Sequence, residues 1–161
     1  MEKAKETAAT KVGKVYQKTL ICIVGIAEKG KTATANEIIN LLKRYATAKV
    51  LNQTYHNNGN QIEQFIVKIS NQTIGVDCIG DPGTNFPARI DTLGAYPCDA
   101  VVCTTRTSGE TLDAAQKTAT KYNMLFIKTS TYQTDDPAME ATMNSYKAEH
   151  IIDLLKKRKH L

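Results

Sequence analysis

A glycine-bounded loop constrains this chain of 161 residues more than any other part of its sequence. The loop occupies residues 25–32 and matches the spacing G-x-x-x-x-G-K-T in full. An apolar, β-branched run from Thr19 to Val24 comes directly before it and predicts a buried strand. From about Lys31 to Tyr45, apolar side chains fall on one side of a predicted helix. The chain therefore predicts a strand, a glycine loop and a helix in direct succession.

This loop has the residue types that hold a polyphosphate. Small residues let consecutive backbone N–H groups point inward, and a helix that begins near Gly30 directs the positive end of its dipole at the same point. Lys31 would reach the β and γ phosphates, and the Thr32 hydroxyl would take one coordination position on Mg²⁺. The predicted phosphate-binding residues are Gly25, Ile26, Ala27, Glu28, Lys29, Gly30, Lys31, Thr32 and Ala33.

With this loop placed between a strand and a helix, the chain resembles the P-loop NTPase superfamily. The resemblance follows the order of elements from about Lys18 to the last helix. It implies a three-layer α/β/α sandwich with a mainly parallel central sheet, a nucleoside triphosphate and Mg²⁺, but it does not name a reaction. The alternation of predicted strands and helices also indicates an α/β fold. We expect a polar extension over residues 1–16 and a single domain over residues 17–161.

A second motif lies at the end of a later predicted strand and offers two carboxylates for the metal. Asp77-x-x-Gly80 resembles the DxxG switch motif of Ras-type GTPases, whereas Asp81 lies just beyond the apolar run. Because ligands of open α/β sheets bind at the carboxyl ends of strands, we favour Asp81 and keep Asp77 as the alternative. Gly80 and Gly83 suit a segment that rearranges when the γ-phosphate leaves. A simple Asp-Pro-Gly turn is the other interpretation.

A third segment, residues 105–111, joins a buried strand to a helix at the same predicted edge of the sheet. Arg106 could stabilise a transferring phosphoryl group, with Ser108 and Gly109 offering N–H groups at the helix start. A helix capped by Ser108, with a surface arginine, is the alternative. For Arg89 we prefer a solvated arginine over the same catalytic role. The candidate catalytic residues are Lys31, Asp81 and Arg106.

The sequence says less about the identity of the nucleotide base and the type of reaction than about phosphate binding. The Asn-Lys-x-Asp segment expected of a Ras-type GTPase has no counterpart after the two later strands, so selectivity for guanine is unsupported. We take ATP as the expected nucleotide because it is the more abundant one, and not because a residue selects it. We predict a Mg²⁺-dependent ATP-binding protein that hydrolyses ATP slowly as a switch. One alternative is a small-molecule kinase that holds its acceptor near Arg106. The other is a nonhydrolysing nucleotide-binding module that acts through a partner.

Composition restricts where such a protein acts and what it contacts. No apolar run approaches the roughly 18–20 residues of a membrane-spanning helix, and no secretory signal is recognisable, so we expect a cytoplasmic protein. A net charge of +5 is compatible with nucleic acid, although residues 156–160 carry part of the excess. A protein partner or a homo-oligomer is also compatible. Buried free thiols are predicted for Cys22, Cys78, Cys98 and Cys103.

Overall fold

Strands and helices follow one another along the chain in the predicted order, with three consecutive strands after the first helix. The computed structural model describes residues 15–26 and 30–161. The strands are β1 Lys18–Val24, β2 Lys49–Tyr55, β3 Ile62–Ile69, β4 Gln72–Asp77, β5 Ala100–Thr105 and β6 Met124–Ser130. The helices are α1 Lys31–Lys43, α2 Phe86–Ala95, α3 Glu110–Lys121 and α4 Glu140–Lys157.

The six strands form one sheet in the order β2-β3-β4-β5-β1-β6. Strands β4, β5, β1 and β6 are parallel neighbours, whereas β3 is antiparallel to both β2 and β4. Parallel neighbours need crossover connections, which the helices supply, and the antiparallel hairpin needs only a short turn. Because β1, β4, β5 and β6 end at the same edge, the loops that follow them gather there.

The side chains of β1 alternate between two hydrophobic clusters, one on each face of the sheet. Ile21 and Ile23 belong to the cluster that contains α1 and α4 residues, here called the α1/α4 face. Leu20 and Cys22 belong to the cluster that contains α2 and α3 residues, the α2/α3 face. Each fully buried aliphatic side chain contributes about 1.5–3 kcal/mol. Burial on both faces therefore keeps β1 inside the sheet and the start of α1 at its carboxyl edge.

Two β-like runs, Glu63 to Ile69 and Thr73 to Ile79, are separated by a short polar turn and predict an antiparallel hairpin. This hairpin is confirmed as β3 and β4, and the α/β class is confirmed with a six-stranded, mainly parallel sheet. The end of β4 is a correction. The apolar run predicts a strand that continues to Ile79, but the ladder ends at Asp77. Cys78 and Ile79 lie beyond the end of the strand but are still buried in the core. An apolar run therefore does not show where the strand ends.

The last helix also differs from its prediction. The apolar spacing predicts a helix from Ala138 to Lys157 with Met139, Met143, Tyr146, Ile151 and Leu154 on or near its inner face. The end at Lys157 and the burial of Ile151 are confirmed, but a 3₁₀ turn, Pro137–Met139, precedes α4, and Met139 and Tyr146 are exposed. The buried residues of α4 are Lys147, Ala148, Ile151, Ile152 and Leu155.

The predictions for the cysteines, for membrane-spanning helices and for the N-terminal extension have different outcomes. All four cysteines are buried and free. No helix within residues 15–26 and 30–161 is long and apolar enough to cross a membrane. Most of the expected polar extension, residues 1–14, lies outside the described part of the chain, so the expected domain boundary stays a prediction.

Candidate functional site

The predicted phosphate loop begins and ends against the last residue of β5. The backbone N–H of Gly25 donates to the carbonyl oxygen of Thr105 at 3.1 Å. Lys31 Nζ donates to the same oxygen at 3.0 Å and to the carbonyl oxygen of Gly25 at 2.7 Å. Lys31 is only 6% exposed, and a Cβ on Gly25 would lie 3.3 Å from its Cδ. Thr105 therefore holds both the start of the loop and the lysine that follows it.

The other described residues of this loop have distinct positions. Gly30 precedes α1 with a φ of +81°, a left-handed conformation that costs a residue with a side chain about 1–2 kcal/mol. Ile26 and Ala33 are exposed, so neither contributes to the hydrophobic core. The predicted contacts of the remaining loop residues stay predictions, because these residues lie outside the described ranges. They are Ala27, Glu28 and Lys29.

The ammonium group of Lys31 lies in a charged, partly desolvated environment. Burial lowers the pKa of Lys31 below its ordinary value, while the nearby Asp81 carboxylate raises it and Arg106 lowers it. An ammonium has three N–H donors, and two of them bond the carbonyls of Gly25 and Thr105. Two cations and one carboxylate thus meet at the start of α1, and this excess of positive charge suits an anion.

Gly80 brings Asp81 to this position. β5 separates β4 from β1, so the chain leaving β4 must pass over the end of β5 to approach the loop. The Gly80 N–H donates to Thr104 Oγ1 at 3.1 Å, and a Cβ on Gly80 would lie 1.5 Å from the Thr104 carbonyl oxygen. Only glycine allows this approach, and Asp81 follows directly.

Asp81 pairs with Arg106 across the end of β5. Arg106 Nε donates to Asp81 Oδ1 at 2.9 Å, and the two side chains are 37% and 48% exposed respectively. On the other side of the same chain segment, Thr32 Oγ1 donates to the Cys78 carbonyl at 3.3 Å. The structure therefore brings together the predicted site residues Lys31, Thr32, Asp81 and Arg106.

Asp77 lies on the other face of the sheet. Val76 and Cys78 belong to the cluster of the α1/α4 face, so the side chain of Asp77, between them, points to the α2/α3 face. There it is fully buried and accepts from Arg89 Nε at 2.9 Å. Burial raises the pKa of Asp77, although Arg89 acts in the opposite direction. The structure does not bring Asp77 together with Lys31 and Thr32.

The segment after β5 differs from its predicted form. The sequence offers Ser108 or Thr107 as a cap for α3, but Gly109 is the N-cap residue and no side chain caps the helix. Glu110 and Asp113 lie in the first turn. Their carboxylates already complement the helix dipole, which makes this helix start a poor second anion site.

A cavity of about 290 Å³ begins at Gly30 and extends toward the loop after β6. Asn144 of α4 closes one side, because a Cβ on Gly30 would lie 2.6 Å from its Oδ1. Tyr132 lines the cavity, with Lys147 Nζ 4.9 Å from the centre of its ring and His150 in an edge contact 5.4 Å away. The full lining is Gly30, Tyr132, Gln133, Thr134, Asp135, Glu140 and Asn144.

Sequence reasoning missed most of this lining. The sequence predicts a last strand from Met124 to Lys128, but β6 continues to Ser130, so the loop that lines the cavity begins later than predicted. The polar run 133–136 followed by Pro137 at this edge of the sheet was the available signal. No signal in the sequence pointed to Asn144, which lies within the first turns of a predicted helix.

Hard oxygen ligands for a divalent cation are present at the site but sparse. In the described parts of the chain, no group of three or more His, Cys, Asp or Glu side chains could hold a metal ion. The Thr32 hydroxyl and the half-exposed Asp81 carboxylate suit a Mg²⁺ whose other ligands are phosphate oxygens and water. Comparison with models of known families, with curated proteins and with solved structures found no match to this chain.

Proposed function

We propose that this chain binds the Mg²⁺ complex of a nucleoside triphosphate, with ATP as the expected ligand, and hydrolyses it slowly as a switch-type NTPase. The observation that carries the proposal is the buried Lys31 ammonium at the N-terminus of α1, with Thr32 and Asp81 beside it. Phosphate oxygens would replace water around that ammonium, and backbone N–H groups at the helix start would add further donors. The P-loop NTPase resemblance supports the same ligand.

Thr32 and Asp81 are the residues we assign to Mg²⁺. The ion would neutralise part of the charge on the phosphates. Arg106 holds Asp81 in place at 2.9 Å and is itself close enough to Lys31 to lower the pKa of that ammonium. In this arrangement Arg106 orients the carboxylate and adds positive charge where negative charge develops during phosphoryl transfer.

We place the nucleoside in the cavity that begins at Gly30. Its residues offer an aromatic ring, Tyr132, together with the carboxylates Asp135 and Glu140 and the amide of Asn144. Carboxylates accept hydrogen bonds from exocyclic amino groups, and an aromatic ring stacks on a base. These features suit a base that carries an exocyclic amino group, such as adenine.

The kinase alternative needs Arg106 to hold an acceptor. Arg106 Nε bonds the Asp81 carboxylate that we assign to Mg²⁺, a role that needs no acceptor, so we prefer the hydrolase. A nonhydrolysing module would use the same binding residues, and turnover distinguishes it.

The test is a comparison of the unmodified protein with Lys31→Ala and a control, Lys43→Ala, which changes an exposed lysine at the end of the same helix. ATP with Mg²⁺ should raise the melting temperature of the unmodified protein and the control but not of Lys31→Ala. Equal stabilisation of all three would refute the proposal. Phosphate release without an acceptor supports the hydrolase, turnover only with an added metabolite indicates the kinase, and binding without turnover indicates the module.

A further inference from the structure

Arg89 holds the turn that carries Asp81. Its guanidinium donates through Nη1 to the carbonyl oxygen of Thr84 and through Nη2 to the carbonyl oxygen of Ile79. These two carbonyls stand at the two ends of the segment Gly80–Thr84, which has neither a strand ladder nor a helix to support it. The Arg89 guanidinium therefore connects the two ends of this turn.

Asp77 balances the charge of Arg89 inside the protein. Arg89 Nε lies 2.9 Å from Asp77 Oδ2, and Nη2 lies 3.1 Å from Oδ1. Asp77 Oδ1 also accepts from the Ile79 N–H at 3.1 Å. Asp77 is fully buried and the Arg89 side chain is only 11% exposed. A planar guanidinium with five N–H donors can reach a carboxylate and two carbonyls together, which a lysine cannot.

Arg89 does not face the phosphate loop itself. It belongs to α2, and its partner Asp77 points to the α2/α3 face, whereas Lys31 and α1 lie toward the other face. All three nitrogens of the guanidinium are engaged by protein oxygens. The prediction that Arg89 is a solvated arginine is wrong, because its side chain is only 11% exposed. A direct contact with a transferring phosphoryl group does not fit this position either.

We propose that Arg89 is a positioning residue that clamps the Gly80–Thr84 turn so that Asp81 stands at the end of β5 opposite Arg106, with Asp77 as its buried counter-ion rather than a metal ligand. The metal-related consequence rests on the proposed function, since it assigns Asp81 to Mg²⁺. Two further contacts hold this turn: the Gly80 N–H donates to Thr104 Oγ1, and the Thr84 hydroxyl donates to the carbonyl oxygens of Ile79 and Asp81. Loss of the Arg89 contacts should therefore loosen the turn and Asp81 with it, without removing Lys31 from the loop.

The first test needs no nucleotide. Arg89→Lys keeps the charge beside Asp77 but loses the bridge between the two carbonyls, so hydrogen exchange of a peptide covering residues 78–86 should accelerate by about tenfold or more. The matched control is Arg158→Lys, because Arg158 also donates to a backbone carbonyl, that of Tyr16, at the opposite end of β1. The control should leave this peptide unchanged. Unchanged exchange in folded Arg89→Lys would overturn the clamp.

A second measurement covers the case in which Arg89→Lys does not fold. In the unmodified protein, the Nε–H proton of Arg89 should exchange slowly with water by nuclear magnetic resonance, because Asp77 accepts from it in a buried site. The exposed Arg44 provides the reference. An Arg89 signal that exchanges as fast as that of Arg44 contradicts the clamp.

Nucleotide binding separates this inference from the proposed function. Arg89→Lys should retain ATP binding without Mg²⁺ but lose most of the gain in affinity that Mg²⁺ provides, as Asp81→Asn should. Equal Mg²⁺ gains in Arg89→Lys and the unmodified protein would remove the link between the clamp and the metal. If the unmodified protein binds no ATP, the proposed function fails, while the exchange measurement still decides whether Arg89 clamps the turn.

Discussion

Lys31 Nζ and the carbonyl oxygen of Thr105 are 3.0 Å apart, so the lysine at the start of α1 is bonded to the last residue of β5, the strand beside β1. The same oxygen accepts the N–H of Gly25 at 3.1 Å. One carbonyl oxygen of β5 thus accepts hydrogen bonds from both ends of the loop, and a main-chain acceptor of this kind cannot be identified from a pattern of side chains.

The first prediction concerns the pH dependence of ATP binding. Burial lowers the pKa of Lys31 below its ordinary value of 10.5, and phosphate should bind only the charged ammonium. Affinity should therefore be highest below the pKa of Lys31 in the free protein and should fall as the pH rises through it, starting below 10.5. Titration of ATP between neutral and alkaline pH measures this loss. A flat profile up to that value, or an equal decline in Lys31→Ala, contradicts the role of the ammonium.

A second prediction concerns the Asp81 carboxylate. Asp81→Asn keeps the shape of the side chain but removes its charge, so the gain in ATP affinity on adding Mg²⁺ should fall by about tenfold or more. Isothermal titration with and without Mg²⁺ provides the measurement. Asp91→Asn is the control, because Asp91 also pairs with a cation, Lys121 at 2.9 Å, but on an exposed surface. Identical Mg²⁺ gains in both variants would exclude Asp81 as a metal-binding residue.

A third prediction tests the passage of the chain over β5. In Gly80→Ala, the new Cβ would meet the Thr104 carbonyl oxygen, so the free energy of unfolding should fall by about 3 kcal/mol. Gly83→Ala is the control, because Gly83 has a φ of +77° but a Cβ added there would meet nothing within 4 Å, so strain alone should cost about 1 kcal/mol. Urea unfolding of both variants and of the unmodified protein measures the two losses in the free energy of unfolding. Equal losses would mean that the turn moves away from β5 at little cost.

A fourth prediction links stability to His160. This residue is buried, with Nδ1 2.8 Å from Gln72 Oε1 and Nε2 2.9 Å from Thr19 Oγ1. Burial, followed by the charge of Arg158, lowers the pKa of His160 below 6.5. The unfolded chain therefore takes up a proton first, and stability should be lost as the pH falls below 6.5, at up to about 1.4 kcal/mol per pH unit.

The check on this fourth prediction is urea unfolding of the unmodified protein and of His160→Gln on both sides of pH 6.5. His56 and His150 are present in both proteins, so the difference between the two profiles isolates His160. The variant should lose less stability on acidification. Parallel profiles would show that His160 contributes nothing to the pH dependence.

Local patterns were sufficient for most of the fold. The apolar run of β1, the one-sided helix α1 and the polar turn between β3 and β4 each express a periodicity that neighbouring residues already contain. Where periodicity is absent the predictions fail, as at Cys78 and Ile79, which are buried outside any strand. Segments that are distant along the chain bury these two residues, so the local sequence cannot show that they lie outside a strand.

By itself, the sequence determined that a glycine loop with Lys31 and Thr32 begins the first helix, because spacing along the chain places those groups next to one another. Only the tertiary structure decided which aspartate accompanies them. Asp77 and Asp81 are four residues apart, but the alternation of β4 turns Asp77 to Arg89, while Gly80 lets the chain cross β5 and carries Asp81 toward Lys31. Strand order and the face of a sheet arise from contacts between distant segments, so spacing along the chain cannot specify them.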